Sequence, residues 1–214
     1  MSSSRQDLDV WLAGPLGSRL LEQERSVVAA ALECAFGLHC LQIGEWGTPA
    51  SFLPLARTRR QALVDRKPGE AVALVCEPEE LALQSDSVDV MLLPHTLEFA
   101  REPHEVLREA GRVLTGEGEL LLLGFERWSL WSLRSFFTRG GCPPGIRRTI
   151  GARRLSDWLK LLGFEVGGAQ RFLYGAYLLH ARKRVYSMTP MRLRTRLRTA
   201  VIGGLVEPAA RRAS

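Results

Sequence analysis

No apolar run in the sequence approaches the roughly 20 residues needed to cross a bilayer. The first ten residues, Met1 to Val10, are polar and carry two aspartates. They lack a basic segment followed by an apolar one, so no signal peptide is read there. Cysteine is scarce: Cys34, Cys40, Cys76 and Cys142, with no Cys-x-x-Cys pair. A chain of 214 residues can close a core without a disulfide framework. The cysteines are therefore read as small buried hydrophobes in a reducing, cytoplasmic setting. The four histidines show no zinc-ligand spacing, so no metal site is expected. No internal repeat is found. Acidic residues nearly vanish from the second part of the chain. Residues 127–214 hold 18 Lys and Arg against three Asp and Glu, whereas residues 1–126 hold 11 against 20. The overall net charge of +6 conceals this division. A basic half suits an anionic partner such as nucleic acid, an acidic protein or a phosphorylated substrate, and it also suits a solvated face.

What is present alternates between helical and extended patterns. Pro15 can open a helix in which Leu16, Leu20, Leu21, Val27, Val28, Ala31 and Leu32 recur at three- and four-residue steps, with Gly37 as a stop. Short apolar runs follow at Leu38–Ile43, Gln61–Val64, Ala71–Val75 and Val88–Leu93, and a fifth at Glu119–Gly124 contains four consecutive leucines. Such runs suit parallel strands buried on both faces. Ser51–Arg60 reads as a short helix disturbed by Pro54. Helices are expected from Pro103 to Leu114 and from Leu155 to Leu162. Phe164–Phe172 and Ala176–Ala181 read as two strands joined at Tyr174-Gly175, and so short a connection requires an antiparallel pair. The fold class expected is α/β: a Rossmann-like three-layer sandwich with a mostly parallel sheet. The expected organisation is a helical cap over residues 1–37, a central domain over 38–186 and a basic tail over 187–214.

In open α/β sheets a ligand sits beyond the carboxyl ends of the central strands. The residues there are Gly44-Glu45-Trp46-Gly47, Asp65, Cys76-Glu77-Pro78, Pro94-His95-Thr96 and Phe125. A glycine after the first strand allows a tight turn and a close approach of backbone to ligand. Asp65 lies 21 positions after Gly44, at the end of the second strand, where a carboxylate can accept ribose hydroxyls.

From Ala73 to Gly124 the sequence resembles the type 11 class I methyltransferases. The resemblance rests on Pro78-Glu79-Glu80-Leu81-Ala82-Leu83, Asp86-Ser87-Val88-Asp89-Val90, His95-Thr96-Leu97-Glu98-Phe99, and Leu107 to Leu114 followed by Gly116-Glu117-Gly118-Glu119-Leu120, all in order and spacing. Over residues 38–181 it is similar to the bacterial YafS-like group. The resemblance implies a seven-stranded sheet with an antiparallel final strand, and S-adenosylmethionine as cofactor. It implies that Gly44 and Gly47 line the cofactor's amino-acid end, that Asp65 holds the ribose and that Glu77 lies near the adenine. Glu45, Trp46 and Pro94 complete the expected cofactor wall. Two departures stand out. Gln42 replaces an acidic residue of the family pattern, and Glu45-Trp46 interrupts its alternating glycines. Trp46 is expected either to restrict the pocket or to stack on something.

His95 is the candidate general base, because it follows the fourth strand and its imidazole titrates near neutrality. Two segments are candidate acceptor covers: Trp11 with the first helix, and Phe125–Gly141 with Trp128, Trp131 and Arg134. An apolar cover edged by arginines suits an amphipathic anionic acceptor, small or carrier-bound. The expected function is S-adenosylmethionine-dependent methyl transfer. The alternative is a catalytically inactive protein of this fold that holds RNA or an acidic partner through its basic half. A dinucleotide-dependent oxidoreductase is a third and weaker option.

Overall fold

The computed structural model describes residues 3–47, 52–126, 143–172 and 175–184. Two helices lead: α1 (Ser3–Ala13) and α2 (Pro15–Leu32). Gly14 separates them in an extended conformation, and Pro15 starts α2 where its missing N–H costs nothing. Gly17 is required by proximity, because a Cβ there would lie 2.4 Å from the Trp11 carbonyl oxygen.

Five parallel strands follow: β1 (His39–Ile43), β2 (Arg60–Asp65), β3 (Val72–Val75), β4 (Val88–Pro94) and β5 (Leu114–Phe125). Between β4 and β5 lie the single-turn α3 (Thr96–Phe99) and α4 (Pro103–Val113). Then come α5 (Ala152–Leu161), β6 (Phe164–Val166), β7 (Gln170–Phe172) and β8 (Ala176–Lys183). The sheet order is β3-β2-β1-β4-β5-β8-β6. β8 runs antiparallel to β5, from Glu119 opposite Arg182 to Phe125 opposite Ala176. β6 and β7 both pair antiparallel with β8, at its Lys183 and Ala176 ends respectively. They are one expected strand interrupted at Gly167–Ala169, so the sheet has seven positions across, with the last occupied by two short pieces. The mostly parallel α/β sandwich expected from the sequence is the architecture found.

The leucine run explains how the sheet divides its packing. Successive strand residues point to opposite faces. Leu120 and Leu122 enter one core together with Met91, Leu93, Leu107, Val113, Leu155 and Leu159. Leu121, Leu123 and Phe125 enter the other with Val90, Leu92, Leu8, Leu20, Val28 and Leu32. One face is thus covered by α4 and α5, and the other by α1 and α2. The segment expected as an N-terminal cap forms a layer of the sandwich. Asp89, the one charge in β4, has a local role: its Oδ2 accepts from the backbone N–H groups of Leu38 and His39 at 2.8 and 3.0 Å.

Two details differ from expectation. The helix expected over Ser51–Arg60 is a 3-10 turn at Leu53–Leu55 among the described residues, because Pro54 removes a donor and only one turn forms. Helix α1 was not read from the sequence, since its polar and apolar residues show little periodicity. The basic segment 187–214 lies outside the described residues.

Candidate functional site

β1, β2 and β4 deliver their carboxyl ends to one edge of the sheet. After β1 the chain turns at Gly44, whose φ is +88°, a conformation that favours glycine. Gly44 N–H donates to Val64 O at 2.8 Å, which ties the turn to β2. A Cβ on Gly44 would lie 3.2 Å from the Thr96 hydroxyl. That hydroxyl in turn donates to the Ile43 carbonyl oxygen. Gln42 is fully buried, and its Nε2 donates to Gly44 O at 3.0 Å. The amide that replaces the family's acidic residue therefore braces the turn from beneath.

Asp65, at the end of β2, is 6% exposed. Its Oδ2 accepts from Glu45 N–H at 2.9 Å and its Oδ1 from Lys67 N–H at 3.1 Å. The carboxylate fixes the glycine turn.

After β4 the chain passes through His95 with φ +54°, uncommon for a residue with a side chain. This elbow turns the ring inward. His95 and Glu24 are both 0% exposed, and His95 Nε2 lies 2.7 Å from Glu24 Oε1. The other oxygen, Glu24 Oε2, accepts from the Trp46 indole N–H at 2.7 Å. The His95 ring packs against both Trp46, at 4.3 Å between centroids, and Phe125, at 4.1 Å. Glu98, 1% exposed, accepts from Phe125 N–H at 2.9 Å. Burial pushes its carboxyl above the usual carboxylate range, against the pull of the nearby His95.

These elements enclose a cavity of about 360 Å³, within the size range of small-molecule sites. Gly44, Glu45, Trp46, Asp65 and Pro94 line it, five of the seven residues expected to hold a cofactor. Thr96 and Phe99 of the elbow, Pro78 after β3, Arg66 and Lys67 after β2, and Leu8 of α1 complete the described wall with Gly145 and Arg147. Arg147 is carried there by its backbone N–H, which donates to Glu98 O at 3.0 Å.

Four expected site residues are placed elsewhere. Gly47 belongs to the turn, with φ +75°, but is not on the cavity wall. Glu77 points outward, 62% exposed, and pairs with Arg66 Nε at 2.8 Å. Trp11 packs with the α1–α2 core. His95 is enclosed behind the wall rather than on it. Trp128, Trp131 and Arg134 lie outside the described residues. Sequence reasoning missed Arg66, Lys67 and Phe99, though each follows on a strand end or elbow it had marked. It also missed Glu24, whose signal was a charge set four residues from both Leu20 and Val28 on the apolar stripe of α2.

The wall suits S-adenosylmethionine. A glycine turn, the Asp65 carboxylate, three cations (Arg66, Lys67 and Arg147) and apolar flanks from Pro78 and Phe99 offer groups for its amino acid, ribose and adenine. Trp46 does not block the space, because its indole is 1% exposed and committed to Glu24 in the core.

The family model described as "Methyltransferase domain" matches residues 47–122. The uncharacterized protein YafS of Escherichia coli K12 is 36% identical over 157 residues, which cover 72% of this chain and 64% of that protein. The chain is thus similar to a methyltransferase domain over part of its length. S-adenosylmethionine is the cofactor that this similarity implies. The match spans slightly under two thirds of YafS. Solved structures agree on the fold. A Haloferax volcanii protein solved in complex with the Trm112 methyltransferase activator superposes with TM-score 0.65 at 14% identity, over 86% of this chain and 98% of its own. An S-adenosylmethionine-dependent methyltransferase from Aquifex aeolicus gives 0.62 at 18% identity, over 84% and 97%. Among the described residues, no helix is long and apolar enough to cross a membrane, and no group of His, Cys, Asp and Glu could hold a metal ion.

Proposed function

We propose that the chain binds S-adenosylmethionine in the cavity beyond β1, β2 and β4 and transfers its methyl group to a small or carrier-bound anionic acceptor. The observation that carries this reading is the convergence of the Gly44 turn, the Asp65 carboxylate and the Thr96 elbow on one cavity of about 360 Å³. Bound there, the cofactor supplies a methyl group already activated as a sulfonium. The chain's own residues then need to provide proximity, alignment and exclusion of water rather than strong acid–base chemistry.

Gly44 and Glu45 bring backbone close to the amino-acid end. Asp65, at the cavity wall, accepts the ribose hydroxyls. Pro78 supports the adenine in place of Glu77, whose side chain is engaged outside by Arg66. Leu8, Phe99 and Arg147 form the side from which the acceptor enters, and their mix of apolar surface and one guanidinium suits an anionic amphiphile. Trp128, Trp131 and Arg134, which lie outside the described residues, are assigned to acceptor binding on their residue types alone. As a general base, His95 would have to reach the acceptor from within the core. Its burial against Trp46 and Phe125 supports a positioning role instead.

The charge asymmetry is met in part inside the chain. Arg171 pairs with Glu126, Arg182 with Glu117, Lys183 with Asp86 and Arg184 with Glu165, at 2.6–3.1 Å. Basic residues of the second half thus neutralise acidic ones mostly of the first, which weakens the motive for RNA or an acidic protein as partner. Calorimetric titration with S-adenosylmethionine and S-adenosylhomocysteine tests the proposal. Saturable heat is expected, and no heat at millimolar ligand overturns it.

A further inference from the structure

Glu24 lies outside the stretch that matches the methyltransferase domain, yet its carboxylate bonds both the glycine turn and the β4–α3 elbow. It projects from α2, between Leu20 and Val28, into an otherwise apolar layer. A buried carboxylate with no partner is strongly disfavoured, so its two bonds determine where its neighbours must sit. One bond goes to the Trp46 indole N–H, at the centre of the Gly44–Gly47 turn. The other goes to His95 Nε2, at the β4–α3 elbow. The turn and the elbow are far apart in sequence and form adjoining parts of the cavity wall. The elbow also departs from ordinary backbone, because His95 has a positive φ. A residue with a side chain keeps such a conformation only where the surroundings over-determine it.

We infer that Glu24 is a positioning residue for the cofactor pocket, a carboxylate on α2 that clamps the glycine turn to the β4–α3 elbow. The inference rests on the cofactor reading for its consequence but not for its geometry. It explains why the family's alternating glycines can be interrupted here: the Trp46 side chain is withdrawn from the pocket and used as a handle. It also assigns α2 a task beyond covering the sheet. His95 Nε2 faces the carboxylate, and its Nδ1 lies buried inside the core.

The test combines amide hydrogen exchange on the ligand-free protein with calorimetric affinity for S-adenosylhomocysteine. Four amides report on the clamp: Gly44, bonded to Val64 O; Glu45, bonded to Asp65; His95, bonded to Leu123 O; and Glu98, bonded to His95 O. In Glu24→Ala these four are expected to exchange at least about tenfold faster relative to amides of the β5–β8 ladder. Affinity is expected to fall by about tenfold or more. Trp46→Phe removes only the indole donor and part of the ring, and serves if Glu24→Ala does not fold. It is expected to speed exchange at Gly44 and Glu45 while sparing the ladder. Glu24→Gln should restore both readouts to near wild type, because its carbonyl can accept from Trp46 while its amide donates to His95 in the tautomer whose Nε2 accepts. Uniform acceleration across the ladder, unchanged exchange at the four amides in Trp46→Phe, or a Gln variant as impaired as the Ala variant would each overturn the inference. If the wild-type protein gives no heat with S-adenosylhomocysteine, the cofactor reading fails, while the exchange result still decides the clamp.

Discussion

The two faces of the sheet are held by different means. On the α4–α5 face the buried hydrophobic core, among the described residues, is hydrocarbon apart from the Met91 thioether and Tyr177, whose hydroxyl donates to Ile150 O at 2.6 Å. On the α1–α2 face the core encloses Glu24, His95 and the indole N–H of Trp46. Hydrocarbon packing rewards burial in many arrangements, whereas a buried hydrogen bond rewards one. The cavity opens where the sheet meets the polar face. The dry face supplies stability and the wired face supplies geometry.

The comparison can be tested from its strongest consequence downward. Leu107→Ala, on the dry face, should cost about 2–5 kcal/mol in urea unfolding, with affinity of the folded protein for S-adenosylhomocysteine unchanged. A parallel loss of affinity would break the division of labour. Gly124→Ala strikes the boundary between the faces. Its Cβ would lie 2.5 Å from the Tyr177 hydroxyl and 2.9 Å from Glu98 Oε1. Overpacking of this kind should cost about 1–3 kcal/mol in thermal unfolding, and a neutral result would show that Tyr177 can yield. Asp65→Ala should weaken S-adenosylhomocysteine binding by about tenfold or more, equivalent to about 1.4 kcal/mol. Unchanged affinity would show that the ribose contact lies elsewhere.

The pH dependence of stability sharpens the same contrast, because two carboxylates act with opposite sign. Burial raises Glu98 above its ordinary value of 4.5. The folded state therefore holds its proton longer than the unfolded state does, and this group's contribution worsens as pH rises from 4.5 toward the folded value. Glu98→Gln keeps an acceptor for Phe125 N–H, and should flatten that part of the stability–pH curve. Glu109 is held below its ordinary value by Arg112, first through its hydrogen bond. Its contribution is present above pH 4.5 and is lost as pH falls through the folded value. Glu109→Gln should reduce stability at neutral pH and have little effect in acid. Denaturant melts from pH 3 to 8 distinguish the two. The smallest effect belongs to the outer edge: Arg182→Ala breaks an exposed pair with Glu117 and should change stability by less than about 1 kcal/mol.

Much of the fold was legible because it depends on local periodicity. The run Leu120–Leu123 reads as a strand buried on both sides, and it divides its residues between two cores as alternation requires. The placement of Gly44 and Asp65 beyond strand ends was legible for the same reason, since strand ends can be read from where apolar runs stop. The role of His95 was not. A left-handed φ decides which way its ring turns, and a single-turn α3 leaves no periodic trace. Trp46 showed in the sequence as an obstruction, and only the position of α2 makes it a handle.

The sequence by itself determined most of the strands and the helices α2, α4 and α5, and where a ligand edge must lie. Those properties follow from side-chain size, apolar spacing and backbone preference within a few residues, and the hydrophobic effect that reads them has no direction. Only the tertiary structure decided which buried polar atoms meet. Glu24 and His95 stand 71 residues apart, and their 2.7 Å contact requires α2 and β4 to be placed against each other. Hydrogen bonding is directional and short-ranged, so its partners are fixed by the assembled fold rather than by the neighbours in the chain.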